Sequence, residues 1–504
     1  MKICFVLQRR FAYIGHTMAR HIVREHPGTR FCAFVQLRES LRFLKTQQDM
    51  RYDSLLLEED IHERFVSEEL DESYLVELEK EYGIPNVWAY LWADRIMMRG
   101  QLIREYPHDE PLLSYEDLRK RLQATAKAII DFLDHEKPDA LVVSTLGSVA
   151  TLLLYHVAKK RGIPTWNIDI VRMGNRVALS EDYRTFTGAR ARFVEITNGR
   201  ESPQHDAARA YLEEFRAHPA PYHPQALPTF NKQAYRMGNV QFLAPRTLVR
   251  SAWWHLQILS KDITKNRYQD YAEPRAWWII WDKLKRKTRG LIGFDDLYDA
   301  VDLDKRFVYF PLHFEPEIAL DLFAPYATNQ LELIRAVAHA LPIDVLLYVK
   351  EHAGMVGYRT RRYYKELKKI PNVRLIDARM RGHTLGQRAC LTTTVTGTAG
   401  WESLMFKRPV ITFGHVFYND IPGVEYCTAL EELPYLIRKQ LDEWRHDEST
   451  LINYVSALME ESVDVDYTQL WSHGSTDEIL TDPGFERLAG ALAAKLGLAR
   501  QKSI

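Results

Sequence analysis

The sequence is short of several things, and each shortage closes off a class of function. Its four cysteines, Cys4, Cys32, Cys390 and Cys427, include no CxxC pair. That scatter supports neither a zinc site nor a disulfide framework, and suits small buried thiols in a reducing compartment. No stretch approaches the roughly 18 consecutive apolar residues of a membrane span. The opening MKICFVLQRRF has five apolar residues before Gln8-Arg9-Arg10, too few for a secretory signal, so a cytoplasmic protein is expected. Net charge is missing as well. The 67 Lys and Arg balance 67 Asp and Glu, which excludes a bulk nucleic-acid binder. The dinucleotide fingerprint is absent, since Gly15 is the only glycine after the first apolar run. No cluster of His, Cys and acids has metal-ligand spacing, so no metal and no cofactor are expected.

What remains is α/β grammar in a chain long enough for two or three domains. Ile3 to Leu7 predicts a buried strand, Gln8 to Gly15 a loop, His16 to Arg24 a helix and Phe31 to Val35 a second strand. The loop lies at the carboxyl edge, where open parallel sheets take ligands. His16 is therefore a candidate base or acceptor contact, or else an exposed helix-start residue. Tyr52 to Tyr106 reads as charged helix over an apolar stripe. Ala140 to Ser144 and Trp166 to Ile170 predict further strands around a helix from Ala150 to Arg161. Past the last of these, DIVRMGNR presents Asp169, a candidate base, and Arg172, a candidate anion or acceptor contact. His205 to Pro228 reads as a boundary.

From Arg236 to Gly290 the composition shifts. Trp253, Trp254, Trp277, Trp278 and Trp281 accompany many cations and few acids. Two aromatic, basic helices suit an anionic membrane surface or a polyanionic glycan. Packing of the tryptophans onto the following domain is the favoured expectation, because aromatics are first of all core residues.

The second half repeats the grammar. Phe307 to Phe310 predicts a strand, with His313, Glu315 and Glu317 in its end loop. Val345 to Val349 predicts another that delivers Lys350, Glu351 and His352. Alternation places Lys350 and His352 on one side and Glu351 on the other, and that cationic pair suits a diphosphate. Cys390 to Gly414, CLTTTVTGTAGWESLMFKRPVITFG, predicts strand, glycine turn, short helix and strand. Such a turn frees backbone N–H groups for an anion. With Thr398 as N-cap, Glu402 falls one position past capping-box spacing; it would either meet neutral sugar hydroxyls or serve as an ordinary stabilising acid in the helix's first turn.

FVYFPLHFEPE, VLLYVKEH, PNVRLI and TTTVTGTAGWESLMFKRPVITFG, in that order over roughly Arg306 to Tyr426, resemble the capsule polysaccharide biosynthesis family. Its members include the bacterial transferases that build the lipid-linked Kdo primer of capsules. The resemblance implies a GT-B-like architecture of two Rossmann-like lobes with parallel sheets. It implies a nucleotide-sugar donor held by Lys350, His352, Thr396, Gly397, Thr398 and Glu402, and His313, on the loop along the same sheet edge, is a further candidate donor contact. Ala353 stands where the family usually has proline.

The expected layout is a first, acceptor-side lobe over 1–235 and a Trp-rich basic helical insertion over 236–305. A nucleotide-sugar lobe over 306–430 and a helical tail over 431–504 follow. The expected activity is metal-independent transfer, hexosyl- or Kdo-type, from a nucleotide-sugar to a surface or capsular glycan or its lipid-linked precursor. His16, Asp169 or Glu317 would serve as base, and residues 246–289 would touch an anionic membrane. A nucleotide-sugar 2-epimerase and a non-catalytic glycan-binding assembly factor are the alternatives.

Overall fold

The computed structural model describes residues 1–84, 86–95, 97–98, 110–222, 244–264, 276–467 and 476–498. Runs too short for helices, most of them apolar and buried, form the strands. In the first half these are β1 (Lys2–Leu7), β2 (Arg30–Val35), β3 (Leu55–Leu57), β4 (Ala140–Val143), β5 (Thr165–Ile170) and β6 (Arg176–Ser180). In the second they are β7 (Phe307–Pro311), β8 (Leu346–Lys350), β9 (Val373–Ile376), β10 (Leu391–Thr394), β11 (Val410–Thr412) and β12 (Glu425–Tyr426). A last strand, β13 (Ser462–Asp464), follows near the end of the chain.

The strands form two sheets, ordered β13-β6-β5-β4-β1-β2-β3 and β12-β11-β10-β7-β8-β9. The second is parallel throughout. The first is parallel except where β6 pairs with β5 and β13. Each sheet reverses its winding direction beside its first strand, between β1 and β4 and between β7 and β10. In such doubly wound sheets, ligands bind outside the carboxyl ends of the strands at that reversal. The architecture is the α/β, GT-B-like pair of Rossmann-like lobes that the sequence predicts.

The first helix departs from expectation. It spans Phe11–Glu25 and absorbs most of the segment expected to be a loop. Phe11, Ala12 and Ile14 supply its buried face. Gly15 lets it lie close on β1, since a Cβ there would stand 2.6 Å from Leu7 Cδ2. His16 is thus pulled into the helix interior instead of standing at its start.

The tail also differs. Helix Leu433–Asp442 places Leu433 and Ile437 in the core of the second lobe, so the boundary expected at 430 falls inside that lobe. Helix Glu448–Glu460 crosses over, and β13 then joins the first sheet. Beneath the crossing, Met173, Phe186 and Phe193 from the first lobe share one apolar cluster with Trp401, Leu404 and Tyr418 from the second and Tyr454 and Leu458 from the tail. The two lobes are joined by buried apolar area, the dominant stabilising term in folding.

The described part of the insertion holds two helices, Pro245–Thr264 and Ala276–Ile292. Its tryptophans do not pack as favoured: Trp253 is 63% and Trp277 60% exposed. Parts of four expected segments lie outside the described residues. They are 99–106 of the charged helical region, 223–228 of the boundary, 236–243 and 265–275 of the insertion, and 468–475 and 499–504 of the tail.

Candidate functional site

The loops after β7, β8 and β10 meet at the reversal of the second sheet. The β10 loop is held from several sides. Gly397 N donates to Thr394 Oγ1 (3.1 Å), Thr396 N donates to His313 Nε2 (3.4 Å) and Thr394 Oγ1 stands 3.2 Å from the same nitrogen. Thr396 Oγ1 donates to Ala319 O (2.7 Å), and Tyr418 donates to Gly397 O (2.6 Å). His313 is therefore a strut for the turn, accepting through Nε2. Burial pushes its pKa down to about 3, helped by His352 and Arg359, so the ring is neutral.

Gly397 has φ −77°, which any residue adopts, so space is what requires glycine there. A Cβ would lie 2.7 Å from Thr394 Oγ1 and 3.1 Å from His313 Cε1. Gly397 also replaces Thr398 as N-cap of the helix Thr398–Met405, with no side-chain cap. The N–H groups of Thr398 and Ala399 have no partner among the described residues. They point out of a helix start, where partial positive charge suits an anion. Glu402, one position further along than expected, stands 3.2 Å from His383 Nε2. It also lies within electrostatic reach of Lys350, Tyr309 and Tyr211.

At the end of β8, alternation sorts the three polar residues as expected. Glu351 is fully buried; Lys350 and His352 are half-buried. Lys350 Nζ donates to Glu351 O (3.1 Å) and has no carboxylate within salt-bridge distance among the described residues. Burial lowers its pKa to about 8, a shift that Glu351, Asp377 and Glu402 offset only in part. It is a partly buried ammonium in direct contact with no carboxylate among the described residues. His352 Nδ1 accepts from Gly354 N (3.1 Å), which places the ring proton on Nε2. Burial lowers its pKa to about 4, so it is a neutral donor.

Beneath this pair lies a buried network that the sequence gives little sign of. Arg359 donates to Glu351 and to His313 O (2.6 Å) and pairs with Glu315 at 3.2 Å. Tyr364 donates to Glu351 Oε2 (2.6 Å), and Gln330 bridges Glu315 to His313 N. One guanidinium thus ties the β7 loop to the β8 loop. Its signal was a basic helix start, GYRTRR, whose nearest reading is solvated charge.

The first lobe faces this edge through the β5–β6 hairpin. Asp169 accepts from Ile170 N (2.7 Å) and from Arg172 Nη1 (3.4 Å), and Arg172 also donates to Ile170 O (2.6 Å). Asp169 and Arg172 from the first lobe, with Glu317 and Glu402 from the second, all act electrostatically on Tyr222. The Arg172 guanidinium is 5.7 Å from the Tyr222 ring. Glu317 is exposed, one residue before helix Ile318–Asp321. A small cavity of about 70 Å3, partly open to solvent, lies between the lobes. Asp169, Arg172, Arg184, Thr396, Thr398 and His415 line it. Gly147, after β4, abuts Ile318 so closely that a Cβ would stand 2.3 Å from Ile318 Cδ1.

His16 is not part of this arrangement. Its side chain is fully buried, 3.4 Å from both Asp49 and the Tyr52 hydroxyl, and edge-on to Phe43. Burial lowers its pKa, and the ring does not line the cavity between the lobes, so the structure does not bring it together with the other candidates. Tyr222, Arg184 and His383 carry no sequence signal, because each stands alone without a motif. Among the described residues no group of three or more His, Cys, Asp or Glu is placed to hold a metal ion.

Residues 259–442 match the family described as capsule polysaccharide biosynthesis protein. No curated protein matches the chain significantly. Among solved structures, the chain is similar to the KpsC β-Kdo 2,7 transferase of Thermosulfurimonas dismutans. The identity is 12%, the coverage 72% of this chain and 89% of that one, and the TM-score 0.34. It is similar to the β-Kdo 2,4 transferase of the same KpsC at 14% identity, covering 64% and 80%, with a TM-score of 0.35. It is also similar to the UDP-GlcNAc 2-epimerase of Neisseria meningitidis at 12% identity, covering 92% and 99%, with a TM-score of 0.28.

Proposed function

We propose, from the match of residues 259–442 to the capsule polysaccharide biosynthesis family, that this protein is a glycosyltransferase. It moves a sugar from a nucleotide-sugar to a capsular or surface glycan, or to its lipid-linked precursor. The observation that carries the proposal is Lys350, a half-buried ammonium in direct contact with no carboxylate among the described residues, beside a neutral His352 donor. A diphosphate would satisfy both, and the free N–H groups of Thr398 and Ala399 would take further oxygens. These groups stabilise the charge that develops on the leaving nucleotide, the task a metal performs elsewhere. Glu402, turned toward His383, would accept from donor hydroxyls. Asp169, which lines the cavity, is the first candidate to take the acceptor's proton, and Glu317 across the cleft the second.

The test is a thermal-shift series with UDP, GDP, CMP and TDP on the wild type and on Lys350→Ala. One nucleotide should raise the melting temperature of the wild type, by the equivalent of about 2.7 kcal/mol at a hundredfold excess over Kd. Lys350→Ala should abolish that rise. No response to any nucleotide, or an undiminished one in the variant, overturns the assignment. Incubating the matching nucleotide-sugar alone separates the alternative chemistry, since only an epimerase converts it without an acceptor.

A further inference from the structure

The two helices of the insertion carry their apolar stripes on the outside. In Pro245–Thr264 the stripe is Val249, Trp253 and Leu256, respectively 72, 63 and 59% exposed. In Ala276–Ile292 it is Trp277, Trp281 and Leu284, at 60, 43 and 48%. Both follow the four-then-three spacing that places side chains on one face. A stripe of that spacing ordinarily faces a core. Here the core side is otherwise occupied. Arg289 donates to Tyr358 O, the Arg286 guanidinium lies 4.6 Å from the Tyr358 ring, and Ala276 is buried. The second helix is thus fastened to the second lobe while Trp277 and Trp281 stay exposed.

Charge decides what covers these stripes. The two helices hold eight Lys or Arg against two Asp, in a chain whose total charge is zero. Arg246, Arg250 and Lys285 are exposed. Crowding is visible at Lys283, whose pKa is lowered by burial and by Arg286, and whose ammonium sits 3.3 Å from the Trp254 ring centroid. A second copy docking through the same patch would set cations against cations, since a two-fold contact is self-complementary. An anionic bilayer meets both demands. Its headgroups take the Lys and Arg, and the boundary below them takes Trp and aliphatic side chains. Neither helix is long and apolar enough to cross a membrane.

We infer that the helix pair is an interfacial anchor that seats the protein on anionic lipid, with its exposed stripes buried at the headgroup boundary. The anchor needs no donor and no turnover, so its test is independent of the transferase proposal. Full-length protein is floated with phosphatidylcholine vesicles, with and without 30% phosphatidylglycerol. The wild type should float with the anionic vesicles alone. Trp253→Ser combined with Trp277→Ser should cut the bound fraction at least tenfold while the melting temperature stays within error. Arg250→Glu with Lys285→Glu should do the same. Equal flotation with neutral vesicles, or no loss in either double variant, overturns the inference. So does a concentration-dependent dimer in sedimentation velocity that the Trp253→Ser, Trp277→Ser variant dissolves, since a second copy would then be the occupant.

Discussion

Lys350 is where structure and function pull in opposite directions. Its folded pKa of about 8 lies below the 10.5 of a free lysine. Between those values the unfolded chain binds the extra proton, so stability rises with pH across that window and is penalised below it. Lys350→Met should therefore stabilise the ligand-free protein at pH 7, by roughly 1–3 kcal/mol, one pKa unit being about 1.4 kcal/mol. The gain should shrink as pH rises past 8 and vanish near 10.5. The same variant should lose nucleotide binding. Urea melts at pH 7 and 10, with and without nucleotide, measure both effects, and a destabilised variant at pH 7 refutes the account. Arg359 is the opposite case. Its removal leaves Glu315 and Glu351 buried without a cation, and breaking such a network costs about 3–5 kcal/mol. Arg359→Met should lower the urea midpoint accordingly. Arg359→Lys, which keeps the charge but not the forked contacts, should recover only part of it.

At the scale of elements, the β10 turn and its helix show what a sequence discloses and what it withholds. The Thr-rich strand, the glycine bend and the Lys-Arg-Pro stop were all readable, because strand propensity, turn chemistry and helix-stop signals are local. So was the sorting of Lys350 and His352 from Glu351, which needs only alternation. The role of Gly397 was not readable, since a φ of −77° gives glycine no conformational advantage. Its reason is the ring of His313, 84 residues earlier. Gly397→Ala should force Thr394 and His313 apart and cost about 1–3 kcal/mol, as other overpacked sites do. A thermal midpoint equal to the wild type would show that the turn has slack. The helix Phe11–Glu25 failed for the same kind of reason. Gly15 reads as a breaker in sequence, yet it is what allows the helix to touch Leu7. The strand β13 was missed because it is three residues long and because its pairing with β6 is a long-range fact.

Across the whole molecule, neutral histidines are built into both lobes. Burial holds His156 near 4 in the first lobe and His352 near 4 and His313 near 3 in the second, all below the 6.5 of a free imidazole. In each, the unfolded chain takes up a proton that the folded one refuses. The stability they allow is complete above pH 6.5 and is lost as pH falls toward 4. Each contributes a slope of up to about 1.4 kcal/mol per pH unit within that window. Because the crossing helix and β13 bind the lobes into one apolar cluster, the loss in one lobe should be felt by both. The expected outcome is a single urea transition whose midpoint is flat from pH 8 to 7 and falls between 6.5 and 4.5. His352→Gln, which keeps a side-chain acceptor for Gly354 N but cannot titrate, should make that fall shallower by up to one proton. Two separated transitions would mean that the shared cluster does not couple the lobes, and an unchanged slope in His352→Gln would mean that this ring is already charged in the fold.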